Sequence, residues 1–285
     1  MEAGPYSRVV ETPGLSIACR DAGGPPGALP LLLLHGAVQT ARIWDGQFEA
    51  LARHRRVVAP DLRGHGETAA DPATISVERM ARDGLALLDA LSIERAAVCG
   101  VSLGGMVALE MAALAPRRVE ALIVANTPLA LSLSPRLRAA LEALGPQRVL
   151  KPAFALLGRR RTGALGLAAA RHLFGKGWVG PETERHFVAG FGSMDEAAIL
   201  STYAAIVAAD PARLLPLAAP CVIVLGTHET GLVRRHAALI AERLGHARIV
   251  TLEGGHVTSL DSPDAFIAVV EAFLASEEAH PSPQI

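Results

Sequence analysis

The amino-acid sequence predicts an α/β protein with a mostly parallel sheet, helices on both faces of that sheet, and an inserted helical cap. Short apolar runs of strand length alternate with longer amphipathic stretches along most of the 285 residues. The apolar runs are continuous, which is typical of strands buried on both faces. The alternation stops between about residues 129 and 215, where no segment has the pattern of a strand.

Eight segments are predicted to be strands. SRVVET and LSIACRD form an opening hairpin near the N-terminus. Six further strands, all expected to be covered on both faces, are predicted at PLLLLHG (30–36), RRVVAPD (55–61), RAAVCGVS (95–102), VEALIVANT (119–127), CVIVLGT (221–227) and ARIVTLEG (247–254).

Helical periodicity marks the segments between these strands. Residues 76–91 place apolar side chains on one helical face, with Ser76 as the N-cap residue. Residues 103–116 are apolar almost all round, which predicts a deeply buried helix. Residues 262–276 form a further helix that begins with Ser262 as the N-cap residue.

The break in alternation divides the chain into two predicted domains. Residues 1–128 and 214–285 form the α/β core, and residues 129–213 form a helical insertion, called the cap. There is no internal repeat.

Composition and charge exclude several classes of protein. The net charge is −1, from 27 Lys and Arg against 28 Asp and Glu, so we expect neither a nucleic-acid nor a membrane partner. The three scattered cysteines argue against a disulfide framework, and no His/Cys cluster indicates a metal. No secretory signal is recognisable, and the apolar runs are too short to span a bilayer. We expect a cytoplasmic protein without a cofactor, and a homodimer is an open alternative to a monomer.

The sequence Gly100-Val101-Ser102-Leu103-Gly104 fits the pattern G-x-S-x-G. The pattern alone is weak, but here it follows an apolar strand and precedes a buried helix, which is the context that the chemistry requires. A sharp turn there lifts the serine hydroxyl above the sheet, and the helix N-terminus favours a developing oxyanion. Ser102 is therefore the predicted nucleophile. The alternative is an ordinary glycine-rich turn with a capping serine.

Two more loops at predicted strand ends supply candidates. The sequence His35-Gly36-Ala37 ends a buried strand, and the backbone N–H groups of Ala37 and Leu103 are the predicted oxyanion donors. His35 is interpreted as a structural residue that fixes this loop. His256 follows the last strand in a glycine-rich loop, LEGGHVTSLDSP, and is the predicted general base.

Taken together, these residues resemble the α/β-hydrolase family along nearly the whole chain outside the cap. The segments LLLLHG, VVAPDLRGHGET, VCGVSLGGMVALEMAALAPRRVEALIVANT, VIVLGTHE and EGGHVTSLDSPDAF follow that family's order. The region around Ser102 is most similar to the 3-oxoadipate enol-lactonase and non-haem haloperoxidase-like branch. The resemblance implies an acyl-enzyme mechanism, because dehalogenases and epoxide hydrolases of this fold carry Asp where Ser102 stands. It also implies that Asp61, Arg63 and His65 shape a loop near the pocket mouth.

The resemblance also implies a position for the third member of a catalytic triad. The family usually places an acid three residues after the glycine that ends the penultimate strand, and here that residue is Glu229. Glutamate is an accepted variant of the triad acid. Asp261 and Glu253 are the alternatives, and a site without a functional acid is another. Asn126 occupies a second position that the family uses for the acid, but it carries no charge.

Substrate-binding residues are harder to predict. The candidates are His35, Phe154, Trp178 and Val257, although an aromatic residue of the cap is more often part of the cap's own core. The run Arg159-Arg160-Arg161 could bind a substrate carboxylate or be a solvated charge run.

The resulting hypothesis is an enzyme, a serine hydrolase of a small, apolar carboxylic ester or lactone. The same residues could instead serve perhydrolysis of the haloperoxidase type, C–C bond cleavage or cyclisation. A non-catalytic ligand-binding protein of the same fold is the alternative from another class.

Overall fold

A computed structural model describes residues 7–129, 148, 150–209 and 217–279. Its sheet has eight strands, which are β1 Ser7–Thr12, β2 Leu15–Ala22, β3 Leu31–Leu34, β4 Val57–Pro60, β5 Ala96–Val101, β6 Val119–Ala125, β7 Cys221–Gly226 and β8 Arg248–Leu252. The spatial order is β1-β2-β4-β3-β5-β6-β7-β8. The first two pairings along this order are antiparallel and the other five are parallel, as predicted.

The α-helices of the described residues are α1 Asp45–Ala52, α2 Val77–Ala90, α3 Leu103–Leu114, α4 Arg159–Phe174, α5 Pro181–Ser193, α6 Glu196–Ala208, α7 Gly231–Leu244, α8 Thr258–Asp261 and α9 Pro263–Ala279. The predicted N-cap of α2 is confirmed, because the Ser76 hydroxyl accepts a hydrogen bond from the N–H of Arg79 at 3.1 Å. Short 3₁₀ turns occur at Ala41–Trp44, Pro72–Thr74 and Lys176–Trp178.

Strand β3 shows how the sheet is covered on both faces. Leu32 and Leu34 point into a cluster that includes α2 and α3, whereas Leu31 and Leu33 point into a second cluster that includes α1 and α9. All four side chains are 0% exposed, which explains why the run is continuously apolar. Burying four leucines stabilises the fold by roughly 6–12 kcal/mol before the entropy of ordering is counted.

The expectation that β8 is buried on both faces is wrong. Its burial pattern is exposed at Arg248, Ile249 and Thr251, and partial at the other two positions. The reason is its place at the edge of the sheet, where only β7 pairs with it.

The described residues between β6 and β7 form no strand, as predicted for the cap. An aromatic cluster joins helices α5 and α6, in which Phe191 has its ring centroid 6.3 Å from Phe154, 5.0 Å from Phe187 and 6.3 Å from Tyr203. Helix α4 packs against the same ring, since a Cβ at Gly163 would lie 2.7 Å from Phe191. The boundaries of the cap, 129–213, stay a prediction because residues 130–147 and 210–216 lie outside the described ones. In the part of the chain that is described, no helix is both long enough and apolar enough to cross a bilayer.

Candidate active site

The candidate site lies where the parallel strands end. Ser102 directly follows β5, Glu229 follows β7 by three residues, and His256 follows β8 by four residues. The carboxyl ends of parallel strands share one edge of the sheet, so these three loops meet although 154 residues separate Ser102 from His256.

The turn at Ser102 is a sharp elbow. Its φ of 53° and ψ of −115° lie outside the ordinary regions for a residue with a side chain, and its N–H donates to the carbonyl of Ala125 at 2.9 Å. A Cβ at Gly100 would lie 2.2 Å from the backbone carbon of Gly104. A Cβ at Gly104 would lie 2.2 Å from the carbonyl oxygen of Leu34. The glycines of G-x-S-x-G are therefore required by close backbone packing.

Three side chains form a continuous hydrogen-bonded chain at this elbow. His256 Nδ1 lies 2.7 Å from Glu229 Oε2, and His256 Nε2 lies 3.0 Å from Ser102 Oγ. Because an ionised carboxylate only accepts hydrogen bonds, Nδ1 carries the proton and Nε2 is the nitrogen that accepts from the Ser102 hydroxyl. The side chain of Glu229 is 0% exposed and that of His256 is 19% exposed.

The Glu229 carboxylate accepts four hydrogen bonds. Besides the bond from His256, Oε2 accepts from Asn126 Nδ2 at 2.8 Å, and Oε1 accepts from the Thr230 N–H at 2.7 Å and from Trp178 Nε1 at 3.1 Å. Burial alone would raise the pKa of Glu229. The charge of His256 and the hydrogen bonds from His256, Thr230 and Asn126 more than offset burial and lower that pKa to about 2. The acid is therefore ionised at neutral pH.

Thr230 links the acid to the helix that follows it. It directly follows Glu229 and is the N-cap residue of α7. Its hydroxyl accepts from the N–H of Val233 at 3.4 Å, while its own N–H points back to Glu229. The same residue thus starts the helix and orients the carboxylate.

The sequence alone does not reveal the role of Asn126. This residue is fully buried at the end of β6 with a φ of 46°, and its Nδ2 donates both to Glu229 and to the carbonyl of Gly255, the latter at 3.1 Å. Its Oδ1 accepts from Thr258 Oγ1 at 3.0 Å. The signal that could have indicated it is an asparagine directly after a buried strand, together with a threonine two residues after His256. Asn126 ties the acid loop to the histidine loop.

The predicted oxyanion donors are Leu103, which directly follows Ser102, and Ala37, whose neighbour Gly36 lies close to the elbow, since a Cβ there would be 3.5 Å from the carbonyl oxygen of Val101. The loop of Ala37 is shaped by Gln39, whose Oε1 accepts from the Gly36 N–H at 3.0 Å, and by Val38, which has a φ of 52°. Among the described residues, the N–H groups of Ala37 and Leu103 take part in no backbone or side-chain hydrogen bond that would occupy them.

His35 is a structural residue, and its inclusion among the substrate-binding candidates is wrong. The side chain is 0% exposed, Nδ1 donates to the Gly36 carbonyl at 2.8 Å, and Nε2 accepts from the Leu62 N–H at 2.9 Å. Burial lowers the pKa of His35 to about 4, so the ring is neutral at pH 7. Both nitrogens are used to join two loops, and neither is left for a ligand.

The loop of Asp61, Arg63 and His65 has the shaping contacts implied by the family resemblance. Asp61 accepts from the N–H groups of Ala41 at 2.7 Å and Glu67 at 2.9 Å. Arg63 forms a bidentate pair with Asp83 at 2.6 Å for both bonds.

Two other substrate-binding candidates are core residues. Phe154 is 3% exposed within the cap cluster, and Val257 is 2% exposed in the cluster on the α1 and α9 face, so neither side chain offers surface to a ligand. That part of the prediction is corrected. Trp178 does reach the site, since its ring centroid lies 5.1 Å from that of His256.

The remaining charged candidates lie elsewhere. Asp261 Oδ2 accepts from the Gly255 N–H at 2.7 Å, and Glu253 pairs with His228 at 3.2 Å, so each alternative acid has a partner other than His256. Arg159 donates to the carbonyl of Gly192 at 3.3 Å, and the other members of the run Arg159–Arg161 are largely solvent-facing, which favours a solvated charge run. No group of three metal-ligating side chains occurs among the described residues.

The site contains a serine at a sharp elbow, a buried acid, and a histidine that bonds to both. On this fold, that arrangement is typical of the class of α/β hydrolases. Residues 30–263 match the family described as the alpha/beta hydrolase fold, and the chain belongs to that family. The prediction of an α/β-hydrolase fold and enzyme is confirmed.

Curated relatives carry several different names. A segment of 150 residues is 36% identical to the acetyltransferase component of an acetoin cleaving system from Pseudomonas putida, covering 52% of this chain and 40% of that protein. A candidate carbamate hydrolase, RutD, from Pseudomonas savastanoi pv. phaseolicola is 30% identical over 87% of this chain and 95% of its own length. The 3-oxoadipate enol-lactonase 2 of Acinetobacter baylyi is 24% identical over 86% of this chain and 88% of its own.

Solved structures of a hydrolase and an enol-lactonase have folds similar to that of this chain. A hydrolase from Pseudomonas aeruginosa superposes with a TM-score of 0.79 at 30% identity, covering 95% of this chain and 99% of that one. The enol-lactonase from Burkholderia xenovorans superposes with a TM-score of 0.77 at 25% identity, covering 94% of this chain and 100% of that one. The similarity to the enol-lactonase branch is confirmed.

Proposed function

We propose that this chain is a serine hydrolase that cleaves a small, apolar carboxylic ester or lactone through an acyl-enzyme. The observation that carries the proposal is the unbroken chain of hydrogen bonds from Ser102 Oγ through the His256 ring to Glu229, with distances of 3.0 Å and 2.7 Å. A nucleophile, a base within hydrogen-bond reach and a group that orients the base are the three parts that acyl transfer needs.

In the first half of the reaction, Ser102 Oγ attacks the carbonyl carbon while its proton passes to His256 Nε2. Glu229 holds the other ring nitrogen and stabilises the imidazolium that forms. When the tetrahedral intermediate collapses, the bond to the leaving oxygen breaks and His256 returns the proton to that oxygen. An alcohol is released from an ester. From a lactone, the hydroxyl stays on the acyl chain.

The negative oxygen of the tetrahedral intermediate needs donors that are in place before the reaction begins. The N–H groups of Ala37 and Leu103 are proposed for this role, because they flank the elbow and are not engaged elsewhere in the described residues. Leu103 is the first residue of α3, so the helix dipole adds to the positive potential there.

In the second half, a water molecule replaces the alcohol. His256 Nε2 takes a proton from the water as the water attacks the acyl carbon, and the proton then returns to Ser102 Oγ as the acid leaves. The enzyme ends in its starting protonation state. No cofactor is required for either half.

The test uses activated esters and an active-site label. Purified protein is expected to hydrolyse p-nitrophenyl acetate or butyrate and to be labelled by a fluorophosphonate, and Ser102→Ala is expected to abolish both. Serine knock-outs in such triads lower kcat by roughly 10⁶-fold. A folded wild-type protein that turns over no short ester or lactone and takes no label would overturn the proposal.

A carbamate is a second candidate substrate, favoured by the name of a relative that is 30% identical over 87% of this chain. The same addition to a carbonyl carbon would apply, with an amine leaving instead of an alcohol. Comparing kcat/KM for matched lactone, ester and carbamate substrates would decide between them.

A further inference from the structure

We propose that Trp178 is a positioning residue for this reaction, and that its indole N–H couples the cap to the acid of the triad. The inference rests on the proposed function and extends it, because it assigns part of the support of Glu229 to a residue outside the α/β core. The substrate-binding role predicted for Trp178 from sequence is a competing explanation, and the two make different kinetic predictions.

Three contacts of Trp178 reach the triad. Its Nε1 donates to Glu229 Oε1 at 3.1 Å, and its backbone carbonyl accepts from the N–H of His256 at 2.7 Å. Its ring lies against the His256 ring with centroids 5.1 Å apart and planes inclined by 36°. One cap residue therefore contacts the acid through a hydrogen bond and the base through both its backbone and its ring.

The segment that carries Trp178, residues 175–180, lies tightly against the loops of the site and is called the strap. A Cβ at Gly177 would lie 2.7 Å from the His228 ring, and a Cβ at Gly255 would lie 2.2 Å from the Trp178 carbonyl oxygen. On its other side the strap is anchored by Arg171, which donates to the Val179 carbonyl at 2.9 Å and pairs with Glu184 at 2.6 Å. The strap thus connects α4 and α5 to both loops of the site.

The chemistry of the carboxylate explains why this donor matters. Glu229 Oε1 receives two hydrogen bonds, one from its neighbour Thr230 and one from Trp178. A glutamate has one more rotatable bond than an aspartate, so its carboxylate needs more contacts to hold one orientation. Removing the indole N–H leaves the buried Glu229 carboxylate with one hydrogen-bond donor fewer. Because a hydrogen bond to a charged group contributes enough free energy to change a rate about tenfold, kcat should fall by about that factor.

The decisive variant is Trp178→Phe, which keeps an aromatic ring and removes the N–H. The chain offers a matched control in its only other tryptophan, Trp44, whose buried Nε1 has no hydrogen-bond partner among the described residues. We expect Trp178→Phe to lower kcat about tenfold with KM changed less than about twofold, and Trp44→Phe to leave both unchanged. A rise in KM with unchanged kcat would overturn the proposal in favour of a substrate contact. Unchanged kcat and KM would also overturn it.

A pH profile separates positioning from simple structural support. Without the indole donor, the Glu229 carboxylate is held less firmly in one orientation toward His256 Nδ1, so the acid limb of kcat/KM should move in Trp178→Phe. The other titratable groups on the surrounding loops are His228, Arg234, Glu253 and Asp261. They are the same in the variant and the wild type, so the difference between the two profiles isolates the change. A lowered melting temperature with an unmoved profile would contradict the proposal.

A spectroscopic readout tests the contact without any substrate. In Trp44→Phe, Trp178 is the sole tryptophan, and protonation of the stacked His256 ring should quench its emission as pH falls. Adding His256→Gln should abolish that titration. If the titration is seen but no ester or lactone is cleaved, the proposed function fails while the contact stands. If esters are cleaved equally by wild type and Trp178→Phe, the coupling fails while the function stands.

Discussion

The proposed nucleophile, Ser102, and the proposed acid, Glu229, are held in place by different means. Ser102 stands between β5 and α3, where the backbone is packed too closely for added side chains, since a Cβ at Gly100 would meet Gly104 and a Cβ at Gly104 would meet Leu34. Glu229 is fixed by groups from four places in the sequence, which are Asn126, Trp178, Thr230 and His256. The first arrangement is mainly steric, and the second is polar.

This difference determines which substitutions are tolerated around Ser102 and which are tolerated around Glu229. The elbow has no room for an added carbon. The surroundings of Glu229 instead require a negatively charged group in one orientation, because four hydrogen-bond donors point at its carboxylate. Each of these regions should therefore be most sensitive to a different kind of substitution.

The largest effect is expected for Glu229→Gln. All four partners of the carboxylate are donors, so an amide must turn its own NH₂ toward a donor and also loses the charge that stabilises the imidazolium. By analogy with Ser-His-Asp enzymes, kcat should fall by roughly 10⁴-fold. Steady-state kinetics on a p-nitrophenyl ester would measure it.

Protein integrity is the control for that variant, monitored by thermal melting and far-UV circular dichroism. If a folded Glu229→Gln protein retains activity within about tenfold of wild type, another group orients His256 and the role proposed for Glu229 is refuted. Asp261 and Glu253 would then be the next residues to replace.

The elbow should instead be sensitive to one methyl group. In Gly100→Ala the new carbon would lie 2.2 Å from backbone atoms of Gly104, which cannot move aside as a flexible side chain could. We expect a loss of more than about 3 kcal/mol of unfolding free energy, or no soluble protein. Chemical denaturation, or the yield of soluble protein, would measure the effect.

Gly166→Ala is the matched control for the elbow. Gly166 lies within α4, is exposed, and has nothing within 4 Å of the position that a Cβ would take. The same substitution should there raise the unfolding free energy by about 0.5–1 kcal/mol, because alanine favours a helix over glycine. Similar destabilisation by both variants would mean that the tight packing at Gly100 is not what fixes the elbow.

The features that sequence predicts well are those with a local determinant. The G-x-S-x-G pattern carries its own strand, turn and helix, so the residues around Ser102 are enough to place it at the start of α3. The strands are located to within about two residues, since buried parallel strands need continuous apolar runs. The spacing from Gly226 predicts Glu229 as the acid, and its carboxylate lies 2.7 Å from His256 Nδ1.

The features that sequence does not predict are contacts between distant segments. The bond from Trp178 to Glu229 spans 51 residues, and that from Thr258 to Asn126 spans 132 residues, with no local pattern to indicate either. The exposure of β8 is not predictable in the same way, because an apolar run does not distinguish an edge strand from a central one.

The last of the expected effects concerns stability in acid. The pKa of Glu229 is lowered to about 2 in the folded protein, below its ordinary value of 4.5, so the ionised acid stabilises the fold. That contribution is fully present above pH 4.5 and is lost as pH falls toward 2, because protonation then removes the interactions. A shift of this size corresponds to about 3 kcal/mol. Melting temperatures measured from pH 7 down to pH 2 should fall accordingly.

The Glu229→Gln protein is the reference for that titration, because it lacks the ionisable group but keeps the shape. Its melting temperature should be lower than that of wild type at neutral pH, and the gap should narrow as pH approaches 2. Other carboxylates contribute equally to both curves, so only the difference between them reports on Glu229. A difference in melting temperature that stays constant over the whole pH range would mean that the cost of burying the charge cancels the gain from the four hydrogen bonds. The partners of Glu229 would then orient the carboxylate without stabilising the fold.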